Sequence, residues 1–452
     1  MKRLFFSLTN SSLKKTLVYL MLLSSCFIAC NKGDHFQPPR SNDAGKFSSE
    51  VIDKWITMQI RLMSNTTGVA NVLFSRIYAY TGVTAYEALA PGTVIGASMN
   101  GKLNGLTGLP QAQPSRKYYW PASLNAALAS INRSIFTNAS TVDKAAIDSL
   151  ENALNVSYGS EASTNVLALS NAFGKAVADA VYSWSTTDGI ADVSDAYTPP
   201  VGPGLWVPTP PAFGKASTPY FGNLRTIITG DIDNTQPGAP TAYSEDPKSD
   251  FYQMVMQVYT AHENLTPEQT AMALFWRDIP GVTTGGHWES ILQQVLKITN
   301  SHLDKAAFAY ALTGICNSDP SISCWKTKYT YNLVRPITYI QNVMGYTTWA
   351  PLLTTPAHPE YSSAHAVLSA ATSDAFTVLF GNIGPFTDHT YDYLGFAPRT
   401  FSTFRAIGED AGNSRLYAGI HYQPSINTGL AQGRKVAANI FAKLGLHLDD
   451  DK

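Results

Sequence analysis

Apolar residues recur along most of the chain at the spacing of an α-helix. Val51, Ile52, Trp55, Met58 and Leu62 fall on one face at a repeat of about 3.6 residues, as expected for a helix that packs on a core. Alternating apolar and polar positions, which would indicate half-buried strands, are scarce. The helical repeat predicts further helices over residues 71–89, 163–184, 266–276, 287–312, 363–380 and 427–444.

Helix-boundary signals support these assignments. Thr266 is followed three residues later by Gln269, the pattern of a capping box, and Gly445 is placed to end the last helix. Between the helices, residues 197–247 are rich in Pro, Gly and Thr and predict a long loop. We therefore predict an all-α fold with long loops and little strand, in a single domain over residues 48–450.

The start of the chain has the pattern of a secretory signal peptide. Basic residues precede a short apolar run over residues 16–23, and small residues lead to Cys26 and Cys30. Either cysteine resembles the lipid-bearing cysteine of a bacterial lipoprotein, and Cys30 is preferred because polar residues follow it. The apolar run is too short to span a bilayer, which disfavours an uncleaved membrane anchor. We predict a lipoprotein-type signal peptide over residues 1–30 and a polar tether over residues 31–47. The protein is then periplasmic, attached to the outer membrane by lipid, or secreted.

Composition narrows the range of functions. Charged residues make up 14% of the chain and the formal net charge is −1, with no Lys/Arg run beyond the N-terminal segment. Nothing therefore attracts a polyanion, and nucleic acid is excluded as a partner. Two cysteines follow the signal peptide, Cys316 and Cys324, and their spacing leaves open whether they form a disulfide.

The candidate chemistry lies in the last third of the chain, in three short polar segments. They read Lys328-x6-Arg335-Pro336, Ser362-Ser363-Ala364-His365 and Ser414-Arg415-x5-His421. Arginine and lysine side chains hold oxyanions, and a helix that starts at Ser363 would add free backbone N–H groups. Each segment alone could arise by chance, but the three in order predict a site for a tetrahedral oxyanion. His421 could attack the central atom or coordinate it, and His365 could transfer protons.

These segments resemble the signature of the vanadium haloperoxidase and type 2 phosphatidic acid phosphatase superfamily, which reads Lys-x6-Arg-Pro, Pro-Ser-Gly-His and Ser-Arg-x5-His-x3-Asp. The resemblance implies a helical bundle of the vanadium haloperoxidase / acid phosphatase type. It implies that His365 is the acid–base histidine and that His421 is the vanadium ligand or the phosphorylated residue. It also implies vanadate as the cofactor, with phosphate able to occupy the same site. The oxyanion-holding set that it implies is Lys328, Arg335, Ser363, the Ala364 backbone N–H, Arg415 and His421.

Three positions depart from that signature. Ser362 replaces a proline, a change that still allows a helix to start. Ala364 replaces a glycine whose backbone N–H binds an oxygen, and it keeps that donor, so oxyanion binding is expected to survive. Ser425 stands where the phosphatases have an aspartate that orients the nucleophilic histidine. Loss of that carboxylate would weaken a phosphoryl-accepting imidazole more than a neutral metal ligand. This departure favours the peroxidase branch of the superfamily.

Segments outside the signature extend the resemblance to bacterial vanadium haloperoxidases over most of the chain. They are Phe275-Trp276-Arg277-Asp278, Gly286-His287-Trp288 and Trp325. Trp325 and His358 match positions near the vanadate in the family, and a histidine at the second position favours bromide or iodide over chloride. Asp278 is a candidate to orient His365. His287 either lines the pocket or has a structural role at a helix start.

The resemblance therefore implies an iodoperoxidase-like enzyme that uses vanadate and hydrogen peroxide to oxidise a halide to hypohalous acid. In that hypothesis His365 deprotonates the peroxide and Lys328 polarises it. A second hypothesis is a periplasmic acid phosphatase that forms a phosphohistidine at His421. A third is a lipid-anchored protein that sequesters the oxyanion without turnover. The presence of His365 disfavours the third hypothesis, because binding alone needs no proton transfer.

Overall fold

A 29-residue helix that is buried along nearly its whole length organises the molecule. The computed structural model describes residues 44–93, 98–279, 282 and 284–447. Within these residues the α-helices, numbered in chain order, are α1 (Glu50–Asn65), α2 (Leu73–Glu87), α3 (Trp120–Ile135), α4 (Thr141–Tyr158), α5 (Thr164–Ser185), α6 (Asp250–Glu263), α7 (Pro267–Phe275), α8 (Thr284–Ile298), α9 (Leu303–Tyr331), α10 (Pro336–Asn342), α11 (Ala364–Phe380), α12 (Phe404–Tyr417) and α13 (Gln423–Leu444). The long buried helix is α9.

Extended structure within the described residues amounts to one short antiparallel pair of named strands. Strand β1 (Phe386–Asp388) pairs with β2 (Arg399–Phe401) between α11 and α12. The predicted all-α class with little strand is confirmed. Among the described helices, none combines the length and the apolar character that a bilayer crossing requires.

The helices predicted from the apolar repeat are present, with one correction. The capping box of Thr266 and Gln269 starts α7, and α13 ends at Gly445, whose φ of 75° is left-handed. The single helix predicted over residues 287–312 is wrong, because the helical conformation is interrupted between the end of α8 and the start of α9. Asn300 lies at that break with a positive φ of 46°, a conformation that asparagine tolerates better than most residues. The prediction does not include α3, α4, α6, α10 or α12.

The position of α11 depends on a glycine in the neighbouring helix α13. A Cβ atom on Gly433 would lie 1.9 Å from the Val367 carbonyl oxygen of α11, so the two helix backbones meet with no side chain between them. One turn and more toward the helix starts, the Ser363 backbone N–H donates to the Ser425 carbonyl at 3.2 Å. The start of α11 is thereby fixed against the start of α13, next to the loop that carries His421.

The long segment between α5 and α6 is irregular, as predicted for residues 197–247, but it is fixed to α9. The Trp325 indole N–H donates to Thr218 Oγ1 at 3.1 Å, and the Tyr329 hydroxyl donates to the Ser217 carbonyl at 2.7 Å. These bonds hold the segment across the part of α9 that carries the first polar motif.

Cys316 and Cys324 are both free and buried on α9. Their eight-residue separation on one helix corresponds to about 12 Å along its axis, which is beyond the reach of a disulfide. The question that the sequence left open is therefore answered by the helix itself.

The N-terminal predictions lie mostly outside the described residues. These begin at Ala44, so the signal peptide, the choice between Cys26 and Cys30, and most of the tether stay predictions. The described residues all fall within the unit of contacts that is numbered Asn42–Lys452.

We expect Gly433→Ala to lower the free energy of unfolding by about 2 to 3 kcal/mol, because the added methyl group must push α13 away from α11. Urea denaturation measures the change. Gly238→Ala is the control, since a Cβ there meets nothing within 4 Å, and it should shift the value by less than about 0.5 kcal/mol. Equal effects of the two substitutions would contradict the close approach of the helices.

Candidate active site

A cavity of about 280 Å³ brings the three polar segments together. The described residues that line it include Asp278, Trp325, His358, Ala364, His365, Arg415 and His421. Lys328, Arg335 and Ser363 are fully buried behind this wall. Arg335 bonds to the lining residues His358, Ile420 and His421, Ser363 directly precedes the lining residue Ala364, and Lys328 bonds to the loop between His358 and Ser363. Of the four predicted pocket candidates, Trp325, His358 and Asp278 are among the described lining residues and His287 is not; it stacks on the Trp276 ring instead.

His421 has a defined proton position. Its Nδ1 lies 2.7 Å from Glu360 Oε1, and its Nε2 lies 3.3 Å from Arg335 Nη1. Because arginine can only donate, Nε2 is the acceptor and Nδ1 carries the proton. Burial, with the nearby Arg335 and Lys328 charges, holds the pKa of His421 well below its usual value. The imidazole is therefore neutral, with a lone pair on Nε2 that could coordinate a metal or attack phosphorus once Arg335 shifts.

Glu360 is the functional residue that the sequence analysis missed. Its fully buried carboxylate accepts hydrogen bonds from His421 Nδ1 at 2.7 Å, the Tyr422 N–H at 3.1 Å and Ser425 Oγ at 2.6 Å. The inference that His421 lacks a carboxylate partner is therefore wrong. Ser425 does not replace the expected aspartate; it holds a carboxylate that enters from another part of the chain.

A signal for Glu360 was available in the sequence. It is the only acidic residue between Asp319 and Asp374, a stretch that includes the first two polar segments and their three cationic and imidazole residues. A lone carboxylate among cations that fold together is expected to pair with them.

The ammonium group of Lys328 donates three hydrogen bonds to the loop before α11. Its Nζ donates to the backbone carbonyls of Pro359 at 3.1 Å, Glu360 at 2.9 Å and Ser362 at 2.6 Å. Burial lowers the pKa of Lys328 to about 8. In this arrangement Lys328 supplies positive charge to the site and shapes the loop, and a direct bond to a ligand requires it to release one carbonyl.

Arg335 is similarly engaged with the loops around the cavity. It donates from Nε to the His358 carbonyl at 2.8 Å, from Nη1 to the Ile420 carbonyl at 2.9 Å, and from Nη2 to His358 Nδ1 at 3.0 Å. The Pro359 carbonyl also lies 3.2 Å from His358 Nδ1, but the closer Arg335 Nη2 can only donate, which makes Nδ1 the acceptor and places the proton on Nε2. Burial and the Arg335 charge keep the pKa of His358 well below its usual value. The Trp325 and His358 rings lie 5.0 Å apart on the cavity wall.

His365 and Arg415 share one acceptor, the backbone carbonyl of Trp276. His365 Nε2 lies 3.0 Å from that oxygen and Arg415 Nη1 lies 2.9 Å from it. Nε2 of His365 thus carries the proton and Nδ1 is left as the base. Burial, followed by the Arg415 charge, lowers the pKa of His365 to about 3, while Asp278, whose carboxylate is 3.6 Å from Nε2, acts in the opposite direction.

Two buried donors in the site have no hydrogen-bond partner among the described residues. They are Ser363 Oγ and Arg415 Nε. Ser363 is the N-cap of α11 and Ala364 is its first residue, and backbone N–H groups in the first turn of a helix have no acceptor within the helix. Unsatisfied donors, a helix N-terminus and three buried cations form a site whose chemistry suits an oxyanion.

The site is thus of the kind used by helical enzymes that hold a tetrahedral oxyanion against one histidine, and comparisons with known proteins specify the family. Residues 308–450 match the family model described as the VCPO second helical-bundle domain. The crystal structure of the first bacterial vanadium-dependent iodoperoxidase is 31% identical, has a TM-score of 0.80, and covers 90% of this chain and 98% of its own. No curated protein sequence matches the chain. The chain belongs to the vanadium-dependent haloperoxidases.

Two crystal structures of a bacterial vanadium-dependent chloroperoxidase share the fold at lower identity. The holo form is 17% identical with a TM-score of 0.64, covering 83% of this chain and 92% of its own. The apo form is 16% identical with a TM-score of 0.66, covering 84% and 94%. The helical architecture is therefore retained among relatives whose sequences differ widely.

We expect oxyanion binding to weaken as the pH rises through about 8, because Lys328 then loses its charge. Sulfate is the suitable probe, since its own charge is constant in this range. Calorimetry from about pH 7 to about pH 9 should show a roughly tenfold loss of sulfate affinity. Lys328→Met should bind weakly throughout and show no such step; a step that persists in this variant would assign it to another group.

Proposed function

We propose that the protein is a vanadate-dependent peroxidase that oxidises iodide or bromide with hydrogen peroxide to hypohalous acid. The observation that carries the proposal is the fixed Nδ1–H tautomer of His421, whose Nε2 lone pair lies in a site with unsatisfied oxyanion donors. Membership in the vanadium-dependent haloperoxidases supports the reaction type.

The residues present fit vanadate. His421 Nε2 would coordinate it, and Ser363 Oγ, Arg415 Nε and the first N–H groups of α11 would hold its oxygens, because these donors have no other described acceptor. Lys328 and Arg335 would balance its charge. When bound, vanadate supplies a Lewis-acidic centre that activates hydrogen peroxide while its oxidation state is unchanged.

His365 is suited to take a proton from hydrogen peroxide. Its Nε2–H is fixed on the Trp276 carbonyl, which leaves Nδ1 as the acceptor on the side chain that lines the cavity. A pKa lowered to about 3 keeps it unprotonated at neutral pH. The negative charge of a bound oxyanion would raise that pKa, so His365 becomes a stronger base when the site is loaded.

The part of the wall formed by Trp325 and His358 is suited to a large halide. The Trp325 N–H is taken by Thr218, so the indole presents carbon rather than a donor, while the His358 Nε2–H remains a donor. Leu368 also lines the cavity. The indole face beside this donor favours an anion that is weakly hydrated, because desolvation costs iodide and bromide less than chloride.

We expect apoprotein loaded with vanadate to oxidise iodide and bromide in the presence of peroxide, with chloride the poorest substrate. Triiodide formation and bromination of a phenol dye measure the rates. His421→Ala should abolish the activity, because the ligand is lost, and His365→Ala should lower kcat by about 100-fold or more. Activity that survives in His421→Ala would contradict the assigned site.

An acid phosphatase is the second candidate, and the Glu360–His421 pair is the observation that favours it. A carboxylate on Nδ1 makes Nε2 a better nucleophile toward a phosphate ester. Nε2 would form the bond to phosphorus, the ester oxygen would leave with a proton from His365, and water would then release phosphate from His421. His365 must be protonated to act as the leaving-group acid, and in the unloaded site burial and the Arg415 charge disfavour that form by lowering its pKa. Turnover of p-nitrophenyl phosphate without peroxide-dependent halide oxidation would establish the phosphatase instead.

Glu360→Gln should separate coordination from simple anion binding. We expect the ratio of vanadate affinity to phosphate affinity to fall about tenfold, because vanadate alone forms a bond to His421 in the ground state and the carboxylate strengthens that ligand. Competition calorimetry measures the ratio.

Glu87→Gln is the matched control for this substitution. Glu87 is a buried carboxylate that accepts bonds from Ser98 and the Met99 N–H, away from the cavity. It should leave the ratio unchanged. A Glu360→Gln protein in which vanadate and phosphate weaken equally would show that Glu360 does not act through the His421 lone pair.

A further inference from the structure

Trp276, which is not among the described residues that line the cavity, is held from two directions. Its indole N–H donates to Asp410 Oδ2 at 2.7 Å. One face of its ring stacks on the His287 imidazole, with ring centroids 4.3 Å apart and an interplanar angle of 26°. The residue is 1% exposed, so both its position and its rotation are fixed by buried or half-buried partners.

Each of these partners is itself held by a second side chain, Asp410 by an arginine and His287 by a carboxylate. Asp410 receives two bonds from Arg399, at 2.8 Å and 3.1 Å. His287 Nε2 lies 2.6 Å from Asp388 Oδ2, and both side chains are buried. Asp388 also accepts from the Thr390 hydroxyl at 2.6 Å and the Thr390 N–H at 2.9 Å. The strand pair β1–β2 thus holds the Trp276 ring at two points. Arg399 acts through Asp410 at the indole N–H edge, and Asp388 acts through His287 at one ring face.

The backbone carbonyl of Trp276 accepts hydrogen bonds from two site residues, His365 and Arg415. Trp276 is the C-cap of α7. A carbonyl at this end of a helix receives no hydrogen bond from within the helix, and the helix dipole favours a cation there. Arg415 and His365 both donate to this oxygen. A shift of the carbonyl would move the guanidinium and release the His365 tautomer together.

We propose that Trp276 is a positioning residue for His365 and Arg415, and that Asp410, His287 and Asp388 act through it. Asp410 fixes the ring edge, the His287–Asp388 pair fixes the ring face, and the backbone carbonyl passes both constraints to the cavity. His287 thereby has a role in the site although the described cavity wall does not include it. The catalytic meaning of His365 and Arg415 rests on the proposed function, so the test uses oxyanion binding and histidine NMR, which do not require halide oxidation.

Trp276→Phe removes the bond to Asp410 while it keeps an aromatic ring for His287 and the backbone carbonyl. We expect sulfate and vanadate affinity to fall about tenfold, with Arg415 no longer held in place. Trp55→Phe is the matched control. Trp55, in α1, is fully buried and its indole N–H donates to Asn125 Oδ1 at 2.9 Å. It makes the same chemical change and should alter affinity by less than about twofold.

Nitrogen-15 NMR of histidine-labelled protein gives the second readout. His365→Gln identifies the His365 signals. The wild-type protein should show His365 as the Nε2–H tautomer, and Trp276→Phe should show a mixture of tautomers, as should Asp410→Ala. Unchanged affinity and tautomer in Trp276→Phe would overturn the proposal, and so would equal loss of affinity in Trp55→Phe. If the tautomer and affinity change as expected but loaded wild-type protein oxidises no halide, the proposed function fails and the positioning role stands.

Discussion

The hydrogen bond of 2.7 Å between the Glu360 carboxylate and His421 Nδ1 determines which nitrogen of that imidazole carries a proton. Both proposed reactions need an unprotonated Nε2 with a free lone pair, either to bind vanadium or to attack phosphorus. Ser425 and the Tyr422 N–H hold the same carboxylate, and both belong to the chain segment that follows His421. His421 and the carboxylate that orients it are therefore fixed to one another by the protein itself.

Burial of cations would destabilise this region if their protons had no acceptors. Lys328 and Arg335 place most of their donors on backbone carbonyls of the loops around His358 and His421. Those bonds order two loops that have little regular structure of their own, and the positive charge remains in the site for an oxyanion. Ser363 and Arg415 keep unsatisfied donors. Lys328 and Arg335 thus order the loops around the cavity, whereas Ser363 and Arg415 keep donors that suit an oxyanion.

The extent to which the sequence predicted this site follows from where the information lies. The motif residues are side chains with a fixed spacing on or next to helices, so a pattern could predict that Lys328, Arg335, His365, Arg415 and His421 would converge. Whether they bind vanadate stays a proposal. Glu360 lies in an irregular loop with no spacing rule, and the Trp276 carbonyl has no side-chain signature at all. The helix break at Asn300 was missed for a related reason, because an apolar repeat on both sides hides a local left-handed residue.

The site contains three imidazoles whose proton positions are set by three different partners. His421 donates to a carboxylate, His358 accepts from a guanidinium, and His365 donates to a peptide carbonyl. Burial keeps the pKa of all three below the usual value, so none adds charge to a cavity that already has three cations. An entering anion relieves that repulsion and raises the proton affinity of the His365 Nδ1, the nitrogen that is not committed to the protein. Under the proposed function, loading the site and activating His365 as the base would be one electrostatic event, because the bound anion would raise a pKa that burial and the Arg415 charge lower in the unloaded site.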